Sequence, residues 1–169
     1  GHALGALAAR WQEDVIDLRP DVLSVFVGTN DAERHLGRLL RADDPKTVPD
    51  FDFADWESTY RGLLDQARQA NPALKIVLCT PFAAPCGKIV EGALGEYYPL
   101  RQRILAQCCV IVERIAADYG ATLVPFHRLI ADLETRLPNG DATYWVWDGI
   151  HPTPACHRRM ADCWIEAAA

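Results

Sequence analysis

The chain has 169 residues, half of them hydrophobic, and a formal net charge of −6. This length supports one hydrophobic core, so we expect a single domain over residues 1–169. The acidic balance argues against a nucleic-acid partner, because such binding draws on clustered Lys and Arg. No apolar stretch is long enough to cross a bilayer.

Six cysteines are spread through the chain without the dense, regular spacing of a small disulfide scaffold. Most lie in apolar or helical segments, where a thiol behaves as a small buried hydrophobe. This usage favours a reducing compartment, and we expect a cytoplasmic protein. No Cys-x-x-Cys or His-x-x-x-His pair occurs, so we expect neither a metal site nor a cofactor.

The first half of the chain alternates helical and strand patterns. Ala3–Leu18 has apolar residues at helical spacing, and Val22–Val27 is an unbroken apolar run that predicts a strand buried on both faces. Glu33–Asp52 is charged and shows no period, which predicts a long loop over the mouth of the sheet. Asp55 is expected to cap a helix that runs to about Ala70.

The second half continues the alternation. Lys75–Thr80 predicts a strand followed by a loop over Pro81–Gly87, and Tyr98–Tyr119 predicts the longest helix. The remaining expected elements are a strand over Ala121–Phe126, a short helix over Leu129–Leu137, a turn over Pro138–Asp141 and a terminal helix over Thr153–Ala168.

Helices between short apolar strands predict an α/β fold with three αβα layers and a flavodoxin-like parallel sheet. Three strands make a thin sheet for such a fold, and a helix precedes the first strand. We therefore expect a domain truncated at its amino-terminal end, where one or two further strands would complete the sheet.

Two short motifs carry the chemistry. The first expected strand stops in Gly28-Thr-Asn-Asp31, which delivers small polar groups to the carboxyl edge of the sheet, where ligands bind in open α/β folds. Near the other end, Asp148 and His151 are three positions apart, a spacing that suits a carboxylate that orients a general-base histidine. Taken alone, each motif is also typical of a turn or a helix cap.

In order and spacing these motifs resemble the SGNH hydrolase superfamily, the GDSL-type lipases and esterases, and in particular its small bacterial acylhydrolases. Gly28–Asp31 matches the Gly-x-Asn-Asp block of that family, and Asp148–His151 matches its Asp-x-x-His block. Gly1 resembles the tail of the block that precedes them. The Gly-Asp-Ser block, which carries the nucleophile of the family, does not occur in the sequence.

The resemblance implies a role for each matching residue. His151 would be the general base and Asp148 would orient it, while the Asn30 amide and the backbone N–H at Gly1 would hold the oxyanion. Further residues on or beside these motifs are expected to contact the substrate: Gly28, Thr29, Asp31, Phe82 and Trp147.

The function implied is hydrolysis of small carboxylic esters, such as acetylated sugars or lysophospholipids, by a Ser-His-Asp mechanism. This segment alone is expected to be inactive, because Ser24 lies within a strand, where it should be buried, and Ser58 lies on a helix. Cys86 is expected to line the pocket or to pack rather than to serve as the nucleophile.

Two other functions compete with hydrolysis. The segment is alternatively a non-catalytic remnant or a binding domain that kept the fold and lost the nucleophile. A flavodoxin-like nucleotide-binding module shares the architecture, but no Gly-x-Gly-x-x-Gly or Walker-type loop occurs.

Overall fold

The computed structural model describes residues 1–168, which form one parallel sheet covered by helices. The strands are β1 (Val22–Phe26), β2 (Lys75–Cys79) and β3 (Thr122–Val124), in the spatial order β1-β2-β3. Val25 of β1 lies opposite Leu78 of β2, and Leu78 lies opposite Leu123 of β3. The carboxyl ends of all three strands therefore point to the same edge of the sheet.

Within the described part of the chain, seven α-helices surround this sheet: α1 (Leu4–Ala8), α2 (Thr29–Arg41), α3 (Phe53–Ala70), α4 (Gly92–Glu96), α5 (Tyr98–Tyr119), α6 (Phe126–Glu134) and α7 (Pro154–Ala168). A π-helical turn covers Gln12–Ile16, and 3₁₀ turns cover Pro45–Thr47, Gly87–Val90 and Pro138–Gly140. None of the helices within residues 1–168 is both long and apolar enough to cross a membrane.

The core is divided by the sheet into two apolar clusters. The larger cluster packs α1, α3 and α5 onto one side through residues such as Trp56, Leu64 and Ile111. The smaller cluster packs α6 and α7 onto the other side through residues such as Ile130 and Met160. Helices thus lie on both faces of a parallel sheet, which confirms the three-layer α/β fold expected from the sequence.

The expected loop over Glu33–Asp52 is wrong for its first nine residues, because α2 occupies Thr29–Arg41. Ala32, Leu36 and Leu39 are buried at helical spacing, and they anchor this helix to the core. The charged residues between these buried positions dominate the composition of the segment, so its helical spacing was not recognised from the sequence.

The first strand also differs from its expected environment. Along β1 burial alternates instead of being complete, and the side chains of Val22 and Phe26 are each 46% exposed. Ser24, expected to be buried, lies on the same exposed face. The outer edge of β1 pairs with no strand among residues 1–168, and on the exposed face the Trp164 indole of α7 donates a hydrogen bond to the Ser24 hydroxyl.

The remaining differences concern the ends of elements. The helix expected over Ala3–Leu18 is broken into α1 and the π-helical turn, and α3 begins two residues before the expected cap, with Asp52 accepting a hydrogen bond from the Asp55 amide. The long helix α5 has the expected bounds and ends at Gly120, whose φ of 58° is left-handed.

Candidate active site

The turn between β1 and α2 brings the first motif to the carboxyl edge of the sheet. Gly28 has a φ of +128°, and a Cβ at this position would lie 2.7 Å from Cγ of Pro81 in the loop that follows β2. Only glycine allows this close approach without strain. The turn therefore starts α2 directly beside the neighbouring loop, with Asn30 in its first turn.

Gly1 lies against the side chain of Asn30. A Cβ at Gly1 would lie 3.4 Å from Cγ of Asn30 and would clash with its amide nitrogen. Asp31 fixes this arrangement, because its Oδ1 accepts a hydrogen bond of 2.9 Å from the backbone amide of Leu4. Burial raises the pKa of the Asp31 carboxyl, although the Leu4 amide opposes that shift.

Asp148 and His151 form a hydrogen-bonded pair at the same edge. Nδ1 of His151 lies 2.7 Å from Oδ2 of Asp148. The other carboxylate oxygen, Oδ1, accepts hydrogen bonds from the backbone amides of His151 at 2.9 Å and Ile150 at 3.1 Å. The carboxylate therefore fixes both the ring and the backbone of the segment that carries the histidine.

The electrostatics of this pair suit a carboxylate that stays ionised. Partial burial raises the pKa of Asp148, but the hydrogen bonds from the His151 ring and from the two backbone amides outweigh it, and the net pKa is lowered. The indole ring of Trp147 stacks on the His151 ring with 5.8 Å between centroids, and its side chain is 57% exposed.

A cavity of about 240 Å³ joins the two motifs. Backbone or side-chain atoms of Gly1, Gly28, Thr29, Asn30 and His151 all line it. Parallel strands deliver their carboxyl ends to one edge, which explains how residues far apart in sequence meet here.

Asp31, Phe82 and Trp147 do not line this cavity, although a substrate contact was expected for all three. The Phe82 ring is only 4% exposed and lies 6.0 Å from the Phe26 ring between centroids, so it packs beneath the site. The Phe82 carbonyl accepts a hydrogen bond of 3.0 Å from the Thr29 hydroxyl. Asp31 is turned towards α1, and Trp147 reaches the site only through its contact with His151.

Three residues that were not expected at the site also line the cavity: His2, Phe26 and Ile150. No spacing or motif marks them, because they are brought to the cavity by the ends of β1 and of the His151 loop. In the sequence Phe26 is one more apolar residue of the expected strand. In the structure it lies at the end of β1 on the exposed face, where it reaches the cavity.

The side chains with a possible nucleophilic role lie elsewhere. Ser24 and Ser58 do not line the cavity, and the Ser24 hydroxyl accepts a hydrogen bond of 3.0 Å from the Trp164 indole. Cys86 is buried, its Sγ donates to the Val146 carbonyl at 2.7 Å, and burial raises the pKa of its thiol. A buried thiol with a raised pKa is a poor nucleophile.

Sequence comparison relates most of the chain to known proteins. The profile of the GDSL-like Lipase/Acylhydrolase family matches residues 2–159. An acetylxylan esterase from Geobacillus stearothermophilus is 31% identical over 167 residues, which cover 98% of this chain and 67% of that protein.

Solved structures agree with this relationship. A crystal structure of a GDSL-like lipase from Parabacteroides merdae superposes with a TM-score of 0.80 at 26% sequence identity and covers 98% of this chain and 68% of its own. The structure of Axe2, an acetylxylan esterase from Geobacillus stearothermophilus, superposes with a TM-score of 0.75 at 26% identity, over 98% of this chain and 67% of its own.

Three further Axe2 structures are of catalytic mutants, in which a serine, an aspartate or a histidine is replaced by alanine. In that protein the aspartate lies three positions before the histidine. Another mutant replaces the tryptophan directly before this aspartate by isoleucine.

Proposed function

Because this chain belongs to the GDSL-like lipase/acylhydrolase family, we propose that it supplies the histidine, aspartate and oxyanion groups of a serine esterase site. The observation that carries this proposal is that Asn30 and His151, from opposite ends of the chain, line one cavity. The proposed reaction is hydrolysis of a small carboxylic ester.

In the proposed reaction, Nε2 of His151 takes the proton of a serine hydroxyl as that oxygen attacks the ester carbonyl. His151 then returns the proton to the leaving alcohol. Asp148 accepts the Nδ1 hydrogen bond throughout, so it holds the tautomer that leaves Nε2 free as a base and stabilises the imidazolium. Water then hydrolyses the acyl-enzyme by the same proton transfers in the same order.

The proposed oxyanion site is formed by the Asn30 amide and the backbone N–H at Gly1. The contact between these two residues supports this assignment, because it places two donors side by side at the wall of the cavity. Donors held in advance stabilise the charge that develops on the carbonyl oxygen in the transition state.

The proposed nucleophile is a serine from a segment outside these 169 residues. In Axe2 the serine of the catalytic mutant lies farther ahead of the aspartate than the whole stretch that precedes Asp148 here. The outer edge of β1 supports this proposal, because a parallel strand added there would end beside Phe26, which lines the cavity.

Short acyl groups are the proposed substrates, and acetylated sugars are favoured over lysophospholipids. The cavity of about 240 Å³ is smaller than the roughly 300–1,000 Å³ usual for sites of drug-sized ligands, which suits an acetyl group. The exposed Trp147 ring beside His151 offers a flat apolar surface on which a sugar ring can stack. The similarity to an acetylxylan esterase points the same way.

The test compares the 169-residue chain with a fusion in which an amino-terminal strand ending in Gly-Asp-Ser precedes Gly1. We expect the isolated chain to hydrolyse p-nitrophenyl acetate no faster than its His151→Ala variant. The fusion should hydrolyse this ester, and it should lose the activity when either the added serine or His151 is replaced by alanine.

Two results would contradict the proposal. Activity of the isolated chain that disappears with His151→Ala would mean that a nucleophile lies within these residues. A folded fusion that stays inactive would favour the alternative, a non-catalytic binding domain, which is supported by the finding that neither Ser24 nor Ser58 lines the cavity. Calorimetric titration of that fusion with acetylated xylo-oligosaccharide would then detect the binding.

A further inference from the structure

Arg101, in the first turn of α5, is fully buried and joins two parts of the molecule that flank the candidate site. Its Nε and Nη2 atoms donate to the two carboxylate oxygens of Glu33 at 2.5 and 3.2 Å. Its Nη1 atom donates to the carbonyl oxygen of Ile89 at 3.2 Å. The guanidinium therefore makes a two-pronged ion pair and a third contact to a separate loop.

Helix stability and core packing do not account for this residue. Arg101 is the only Lys, Arg, Asp or Glu in the fully buried class among residues 1–168, with an exposed fraction of 0%. A cation near the amino terminus of a helix is disfavoured by the helix dipole, and burial strips the guanidinium of its hydration. An apolar side chain would fill the same place at lower cost.

Glu33 connects Arg101 to the oxyanion side of the candidate site. It lies on α2, three residues after Asn30, so the two side chains are separated by less than one helical turn. A fixed Glu33 carboxylate therefore fixes the position of the first turn of α2 relative to α5.

Ile89 connects Arg101 to the histidine side. A Cβ at Gly149 would clash with the Ile89 side chain, and a Cβ at Gly87 would lie 2.6 Å from Cα of Asp148. The backbone amide of Ala84 donates to the Gly149 carbonyl at 2.8 Å. The 84–89 segment therefore lies directly against the backbone that carries Asp148.

We propose that Arg101 is a positioning residue that holds the Asn30 helix and the Asp148–His151 loop at a fixed separation. It touches neither the cavity nor any reacting atom, and it acts through Glu33 and Ile89. The importance of this separation for ester hydrolysis rests on the proposed function, but the structural coupling is measurable in the isolated chain without any activity.

The test measures hydrogen exchange of the Ile150 and His151 amides, which donate to Asp148. The Val77 and Leu78 amides of β2 report the stability of the core. In the double variant Glu33→Met/Arg101→Met, which replaces the ion pair by an apolar pair that can pack, we expect the loop amides to exchange about tenfold faster or more. The β2 amides should keep their protection.

Two further variants complete the experiment. Arg128→Met breaks an ion pair with Glu113, which lies on the same helix α5, and it should leave the exchange of the loop amides unchanged. Arg101→Lys keeps the charge but loses the two-pronged geometry, so it should give an intermediate increase in exchange. In the serine fusion, Arg101→Lys should lower kcat more than it changes KM.

Three outcomes would overturn the proposal. Wild-type protection of the loop amides in the double variant would mean that the ion pair does not hold the loop. Joint loss of protection at the loop and β2 amides in both Arg101 variants would mean that Arg101 supports the whole fold. Loop exchange in Arg128→Met as fast as in the double variant would mean that any lost ion pair has this effect. An inactive fusion with faster loop exchange would count against the proposed function alone.

Discussion

The Asp148 carboxylate accepts three hydrogen bonds, from the His151 ring and from the backbone amides of Ile150 and His151. An asparagine side chain has only one oxygen to accept these hydrogen bonds, and its NH₂ group would face one of the three donors. In the serine fusion, Asp148→Asn should lower kcat for p-nitrophenyl acetate by about 10³–10⁴, because the ring is then held in the wrong tautomer. His157→Ala, a change on the exposed side of α7, should leave kcat unchanged.

Asn30 offers a second test at the scale of single residues. If its amide holds the oxyanion, Asn30→Ala in the fusion should lower kcat by about 10²–10³ with little change in KM, because the donor acts mainly in the transition state. Steady-state kinetics at one pH measures both constants. A raised KM with an unchanged kcat would instead indicate that Asn30 binds the substrate in the ground state.

Glu134 predicts a pH dependence of stability. Burial raises the pKa of its carboxyl from the usual 4.5 to about 7, and its Oε1 has no hydrogen-bond partner. Between these values the folded state binds more protons than the unfolded state, so stability falls as pH rises from about 4.5 to about 7.

Glu134→Gln removes this titration. In the wild-type chain the free energy of unfolding should fall between pH 5 and pH 8, and in the variant it should fall by about 1–2 kcal/mol less. This value allows for the partial exposure of the Glu134 side chain, which weakens the effect. Urea denaturation at the two pH values measures it. The exposed Glu96→Gln serves as the control, and an equal change in both variants would refute the assignment to Glu134.

At the scale of elements, the turn from β1 into α2 depends on Gly28. Its φ of +128° and its approach to Pro81 leave no room for a side chain. Gly28→Ala should therefore destabilise the fold by about 1–3 kcal/mol in urea denaturation. Gly62, within α3, has no atom near a Cβ position, so Gly62→Ala should stabilise the fold by about 0.5–1 kcal/mol.

The helices also mark the limit of reading a pattern from sequence. The helix α5 has the bounds expected from its apolar spacing, since nine of its residues are buried along one stripe. The segment of α2 from Glu33 onwards was expected to be a loop, because it contains many charged residues and only a narrow stripe of buried ones. The charged residues are Glu33, Arg34, Arg38 and Arg41. A helix at the protein surface needs only a few buried positions, and composition does not reveal them.

At the scale of the whole molecule, β1 presents an apolar surface. Val22 and Phe26 are exposed on one face of this strand, and its outer edge pairs with no strand among residues 1–168. Unpaired apolar edges are typical sites of self-association. We expect the isolated chain to associate with rising concentration, which light scattering after size-exclusion chromatography will detect.

Val22→Lys should reduce this association, because a charge at the edge opposes strand pairing. Val110→Lys is the matched control, since Val110 is also exposed, at 51%, but lies on α5. Equal effects of the two variants would attribute association to general surface hydrophobicity and not to β1. In the serine fusion, a strand paired with β1 should remove the concentration dependence.

The sequence by itself determined the α/β class, the long helix and the two motifs with their family, because periodicity and short-range spacing are properties of contiguous residues. Only the tertiary structure decided that α2 is a helix, that Phe82 packs beneath the cavity, and that Arg101 joins its two sides. These features depend on contacts between segments far apart in the chain. The parallel sheet creates them by bringing the ends of its strands to one edge, and no local pattern records which side chains then meet.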